Sequence, residues 1–303
     1  MSRDLPLDYK LLQALDAVVR EQSFERAARA LHLTQPAISQ RIKQLEQLLA
    51  QPVLLRSSPP GPTLLGQQLL GHYRQVSQLE RELLPRLRPE APSEPLRISI
   101  AVNADSLATW FLPALTPLLD RHPLALDLVL DDETRSVERL RQGEVFGAVG
   151  CHPLPLPGCE ASLLGDMEYR LICSPGFAQR YFADGLHLQA LSRAPAVAFD
   201  HRDDMHVSYL SQHFALPPGG YPCHTVRSSE AFIDLALGGV AYALIPVLQI
   251  RPQLAAGSLI SLPAPPLQRT LYWHRWLLAR GVHQQVSEAI LAAGQQSLAK
   301  SQA

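Results

Sequence analysis

Three short amphipathic stretches open the chain. Leu11, Leu12, Leu15, Val18 and Val19 recur at helical spacing and predict a first helix. Ser23 is a capping residue for a second helix, whose apolar face is Phe24, Ala27, Ala28 and Leu31. After a break at His32 and Leu33, Thr34 caps a third helix that tolerates Pro36 in its first turn. Its apolar face is Ile38, Ile42, Leu45 and Leu49, and its opposite face carries Gln35, Ser39, Gln40, Lys43 and Gln44. Pro59, Pro60, Gly61 and Pro62 then make a turn that no helix or central strand accepts. Beyond it Leu65, Leu69, His72, Val76, Leu79 and Leu83 alternate spacings of four and three. That is a heptad seam, which asks for a partner helix. His72 within it costs stability and sets register. Pro85, Pro89, Pro92 and Pro95 end the seam, and residues 89–95 read as a linker.

From Leu96 the period shortens. Leu96, Ile98, Ile100 and Val102 alternate with Arg97, Ser99 and Ala101, as a strand does. A helix is expected from about Ser106, a strand at 124–130, a helix at 134–142 and a buried strand at 145–149. Further strands are expected at 169–173, 196–199, 242–245 and 271–274, with a helix at 229–237. Helices alternating with short strands imply an α/β body on a mostly parallel sheet. The expected division is residues 1–61, an all-α head with a turn; 62–89, a linker helix; and 90–303, an α/β domain.

Composition supports that division. Apolar residues make up 47% of the 303 and charged residues 18%, so a buried core is available. The net charge of −1 exerts no global pull toward nucleic acid or anionic lipid. The distribution is uneven, because residues 1–60 hold eight Lys or Arg against six Asp or Glu. A mildly basic head on a mildly acidic body points to phosphate at the head. No apolar run is long enough to span a membrane and no signal-peptide pattern opens the chain, so a cytoplasmic protein is expected. Cys151, Cys159, Cys173 and Cys223 form no C-x-x-C pair, and neither metal nor cofactor is expected. Glycine-rich phosphate loops, G-x-S-x-G and H-E-x-x-H are all missing, so no enzyme is expected.

The second and third helices have the proportions of a helix-turn-helix, whose second helix lies in the major groove. Gln35 and Gln40 suit adenine, Ser39 a base or phosphate, and Lys43 guanine or phosphate. Pro36 and Ala37 suit a thymine methyl, Arg29, Arg41 and Arg56 suit phosphates, and Thr34 joins the set as the cap. On pattern alone the same face reads first as a solvated helix surface, which most helices have. Residues 23–49, SFERAARALHLTQPAISQRIKQLEQLL, resemble the helix-turn-helix signature of LysR-type transcriptional regulators. Val53 to Arg56 and Pro62 to Gly66 resemble that family's wing and linker-helix start. Residues 57–61, Ser-Ser-Pro-Pro-Gly, lack the second basic wing residue the family often has, which implies a weaker grip on phosphate.

The resemblance continues through VNADSLATWFLPAL, DDETRSVERLRQGEVFGAVG, AVAFDHRDDMH, PPGGYPCHTVRSSEAF and LYWHR. These blocks look like an arginine- and lysine-responsive subgroup, which also carries an older label as inhibitors of chromosome replication initiation. The resemblance implies a periplasmic-binding-protein-like effector domain of two α/β lobes, preceded by an all-α winged helix-turn-helix and a linker helix. It implies a double-stranded DNA operator, a dimer joined through the linker helix that pairs further into a tetramer, and lysine or arginine as effector. The implied output is control of amino-acid export or metabolism, with RNA polymerase a candidate further partner. For such a ligand, Asn103, Ser106 and Thr109 offer donors near a helix start, with Asp105 beside them. Asp131, Asp132 and Glu133 end a strand, where α/β sheets place ligands. Phe199, Asp200, His201, Asp203 and Asp204 form a second cluster, and Glu230 opens another helix. Each of these carboxylates also reads simply as a solvated loop or a dipole complement. Two other readings stay open: a DNA-architectural protein without effector control, and a cytosolic solute binder.

Overall fold

Two hydroxyl caps set the head. The structure, a computed structural model, describes residues 7–55, 57–87, 95–199 and 204–299. Helix α1 (Tyr9–Glu21) is capped by Asp8, α2 (Phe24–Ala30) by Ser23 and α3 (Gln35–Leu49) by Thr34. In each case the side-chain oxygen accepts a first-turn N–H that has no helical partner. The turn between α2 and α3 passes through His32 in the left-handed region. Strands β1 (Leu54–Leu55) and β2 (Gly61–Pro62) pair antiparallel as a small wing, and α4 (Leu64–Leu87) follows.

The body runs β3 (Leu96–Val102), α5 (Ala104–Ser106), a five-residue π segment (Leu107–Phe111), α6 (Leu112–Arg121), β4 (Leu124–Leu130), α7 (Ser136–Arg141) and β5 (Gly147–Gly150). Then come β6 (Cys159–Cys173), α8 (Pro175–Tyr181), α9 (Leu188–Arg193), β7 (Ala196–Ala198), α10 (Asp204–Phe214) and β8 (Cys223–Thr225). The chain closes with α11 (Ser229–Leu237), β9 (Tyr242–Pro246), α12 (Val247–Ala255), β10 (Ile260–Ser261), β11 (Leu267–Trp276) and α13 (Gly281–Ser297).

Two compact units result, one comprising residues 1–101, 123–128 and 137–148, the other 102–122, 129–136 and 149–303. In the first, Leu12, Leu15 and Val18 of α1 pack with Ala27, Ile38, Ile42 and Leu45. Leu69 and Leu70 of α4 are buried in that same cluster, with Leu65 and Tyr73 against it. The first turns of the expected seam are thus covered by the chain's own head, because a leucine that finds an apolar neighbour within its own chain buries there. Leu83, at 51% exposure, is not so covered. His72 is exposed and meets the Tyr9 hydroxyl at 2.9 Å.

In the second unit, β6 pairs antiparallel with β11, β9 and β10, while β7 pairs parallel with β8 and β9. The expectation of a mostly parallel sheet is corrected here. A 15-residue ribbon, β6, runs against ten residues of β11 and makes the sheet mixed. The helix expected from Ser106 begins two residues earlier, at Ala104, with Asn103 as its cap position. Among the described residues no helix is long and apolar enough to cross a membrane.

Candidate DNA-reading helix and effector pocket

Helix α3 sorts its residues cleanly. Ile38, Ile42 and Leu45 are buried, while Gln35, Pro36, Gln40 and Lys43 are exposed and Ala37, Ser39 and Arg41 partly so. The Gln35 amide donates to Ser39 Oγ at 2.9 Å, one helical turn on. Thr34 Oγ1 accepts the Ala37 N–H at 3.4 Å, so its role in the fold is that of a cap. Arg29 is exposed on α2, and Arg56 lies outside the described residues. Arg26, which was not singled out from the sequence, donates to the Glu21 carbonyl that ends α1.

In the second unit a pocket opens between the helix starting at Ala104, the acidic loop 131–135, α10 and α11. It encloses about 690 Å³, open solvent at its mouth included. Asn103, Asp105, Asp132, Glu133 and Phe199 of the expected set line it, together with Asp131. Three expected residues are elsewhere. Ser106 is fully buried inside the helix, since that helix starts earlier than its sequence suggests. The Thr109 hydroxyl donates to the Asp105 carbonyl at 2.6 Å. Glu230 is exposed and accepts from the Ser228 hydroxyl at 2.9 Å. Asp200, His201 and Asp203 lie outside the described residues, as does the Asp204 side chain. Arg135, Met205, His206, Ser229 and Phe232 also line the pocket. All five fall in the blocks that resemble the family, but apart from His206, which flanks the acidic loop, and Ser229, at a capped helix start, none was marked by its own chemistry.

The carboxylates differ in how they are held. Asp105 accepts the Tyr169 hydroxyl at 2.7 Å and the Ser229 hydroxyl at 2.6 Å, one on each oxygen. Asp132 accepts the Thr134 N–H at 2.8 Å and the Thr134 hydroxyl, and Asp131 accepts the Asp132 N–H at 3.0 Å beside Arg135. Glu133 is different. It is 7% exposed and meets the Arg269 guanidinium only at 3.4 Å, longer than a charge-assisted hydrogen bond. Burial first, and Asp132 next, push its carboxyl up to about 7, against a hydrogen bond from its own backbone N–H and the pull of Arg269. Asn103 sits at a helix cap position yet makes no capping bond, and its buried Oδ1 has no hydrogen-bond partner among the described residues. A cap asparagine ordinarily bonds the N–H two or three residues on. Two buried acceptors therefore border one pocket with hydrogen-bonding capacity to spare, which favours a ligand rich in N–H donors. His206 is held near 4 by burial and is neutral at pH 7. Among the described residues no group of three or more His, Cys, Asp or Glu could hold a metal.

A DNA-reading helix joined to a ligand-binding α/β body defines a ligand-responsive DNA-binding protein. The chain belongs to the LysR family of bacterial regulators. Residues 9–67 match the family model described as bacterial regulatory helix-turn-helix protein, lysR family, and residues 90–295 the LysR substrate binding domain. It is a transcriptional regulator and not an enzyme. The HTH-type transcriptional regulator ArgP of Aeromonas salmonicida is 60% identical over 96% of this chain and 98% of its own. That of Photobacterium profundum is 50% identical over the same shares. The crystal structure of ArgP from Mycobacterium tuberculosis, 34% identical, superposes with a TM-score of 0.87 over 98% of this chain and 100% of its own. Full-length LysG from Corynebacterium glutamicum with bound effector Arg, 31% identical, gives 0.81 over 97% and 100%.

Proposed function

We propose that this regulator is controlled by a basic amino acid, arginine first, bound in the pocket bordered by Asn103, Asp105, Asp131, Asp132, Glu133, Arg135, Phe199 and Ser229. The observation that carries this is the buried, unpartnered Asn103 Oδ1 in one pocket with the buried Glu133 carboxyl, whose ion pair with Arg269 is long at 3.4 Å. A guanidinium or ammonium end satisfies both, and Arg135 with the helix starts at Ala104 and Ser229 suits an α-carboxylate. The arginine bound to the LysG neighbour supports the choice. The α3 face of Gln35, Ser39, Gln40 and Lys43 reads the operator, with Arg29 and Arg41 on phosphates. The chain acts in the cytoplasm as a dimer joined through α4, and effector domains pairing further give a tetramer. An architectural protein or a simple solute binder is not favoured, since the first leaves the pocket acceptors without purpose and the second the DNA-reading helix.

Calorimetric titration of the full-length protein tests the effector. L-arginine and L-lysine are expected to bind, and L-citrulline, uncharged and nearly isosteric with arginine, is not. Equal binding of citrulline, or no binding of either base, ends the effector assignment. Lys43→Ala is expected to weaken duplex binding about tenfold, a cost of ~1–3 kcal/mol for a lost groove contact. Arginine affinity should not change. An unchanged duplex affinity at physiological salt means α3 is oriented otherwise.

A further inference from the structure

Helix α4 meets the turn after α7 backbone to backbone. A Cβ on Gly71 would lie 2.9 Å from the Arg141 carbonyl oxygen, and one on Gly143 would lie 2.9 Å from Gly71 Cα. Gly143 also has a φ of +65°, which L side chains rarely adopt. Only two glycines allow so close an approach. Beside it, Arg74 of α4 ties three elements together. Its Nε donates to Asp16 Oδ1 of α1 at 2.7 Å, and its Nη1 to the Gln142 carbonyl at 2.9 Å. The Arg74 and Asp16 side chains are only 21% and 15% exposed, so solvent screens this pair less than it does a surface one.

We propose that Arg74 and the Gly71–Gly143 contact form a joint that holds the DNA-binding head to the effector domain. Arg74 is a positioning residue, acting on DNA through α1 and the head it carries. The turn at Gln142 and Gly143 ends α7, and α7 follows the acidic loop without a break in the chain. The Ser136 hydroxyl that opens α7 donates to the Asp132 carbonyl at 2.8 Å. A shift of that loop is therefore passed to α7, and the joint is where α7 meets the head. Coupling of this kind needs a packed element whose position both sites bias. The ligand arm rests on the effector reading above and the spacing arm on the dimer proposed there; the joint itself rests on neither.

The test uses full-length protein and a duplex it selects from random sequence. Two heads held at a set separation discriminate between half-site spacings. The chain is expected to bind its selected duplex about tenfold more tightly than one whose half-sites are moved apart by half a helical turn. Gly71→Ala adds helix propensity but wedges the joint, and Arg74→Ala removes both ties. Both should narrow that ratio to about threefold or less, with affinity for a single half-site kept. Arg74→Lys, able to keep one tie, should restore part of the ratio. A chain indifferent to spacing, or a ratio unchanged in both variants, overturns the joint. Arginine is then added. If it fails to bind, the effector reading falls, and the spacing ratios still decide the joint. If it binds and alters duplex affinity in the parent chain, that alteration should shrink in both variants; equal alteration in all three also overturns it.

Discussion

Gly66→Ala is expected to unfold the junction between wing and linker helix and abolish operator binding. A Cβ at Gly66 would lie 2.1 Å from the Val53 carbonyl oxygen and 3.2 Å from its carbon. Val53 cannot retreat easily. Its N–H donates to Glu46 Oε1 at 3.0 Å, and its carbonyl accepts the Thr63 N–H at 3.0 Å. Thr63 is fixed in turn, donating to the Pro52 carbonyl at 2.9 Å and accepting the Gly66 N–H at 3.1 Å. The helix-propensity gain of Ala over Gly, up to ~1 kcal/mol, is small beside a forced backbone separation. We expect a loss of roughly 3 kcal/mol or more in head stability, in line with severe overpacking. Gly61→Ala is the control, because nothing lies within 4 Å of a Cβ there. It should change stability by no more than about 0.5 kcal/mol, as surface changes do. Thermal unfolding and duplex binding measured on both variants decide it. A Gly66→Ala protein that melts and binds like its parent would show that the wing does not rest on α4 as described.

The head was largely legible because its signals are local. Ser23 and Thr34 announce their helices within one turn, and Ile38, Ile42 and Leu45 are all buried as their spacing predicts. Helix α11 spans the residues its pattern marks, 229–237. Three things were hidden. The first half of β6, from Cys159, carries Glu160 and Gly165 and shows no clean alternation. Its strand character comes from β11, which pairs along it and shifts register beside Gly165. Helix α13 buries His283, Ser287 and Gly294, which weakens an apolar repeat. Tertiary contact supplies the reason, since the Trp273 indole donates to Ser287 at 3.1 Å and Leu164 packs on Gly294. The acidic run 131–133 was visible as a cluster, but not which member is left under-bonded. That depends on Arg269, Tyr169 and Ser229, all distant in sequence. Gly66 and Gly71 gave no signal either, because what a glycine's missing Cβ would strike is set by packing.

Arginine binding is expected to release a proton below pH 7 and to lose that release in Glu133→Gln. Glu133 holds its proton up to about 7 in the folded protein, against 4.5 as its ordinary value. The charged and polar groups acting on it are Asp132, its own backbone N–H, Arg269 and Asp105, with Tyr169 bound to Asp105 nearby. A guanidinium placed against the carboxyl favours the ionised form and drives the proton out. At pH 6 the empty site is mostly protonated, so binding should release close to one proton. At pH 8 it is ionised already and release should be near zero. Affinity should accordingly climb by about tenfold per pH unit on the acid side and level off above 7. Titrations in two buffers of different ionisation enthalpy count the protons directly. Glu133→Gln should flatten the pH profile and, at pH 8, weaken arginine by about two orders of magnitude, as loss of one partner of a buried charge pair does. Stability moves the other way in the ligand-free protein. A carboxyl raised from 4.5 to about 7 stabilises the fold fully below pH 4.5 and loses that contribution as pH rises through 7. The loss is about 3 kcal/mol, and Glu133→Gln should remove it. The ligand-free parent should therefore melt lower at pH 8 than the variant, and saturating arginine should reverse that order. Proton release that persists in Glu133→Gln would place the titrating group elsewhere in the pocket.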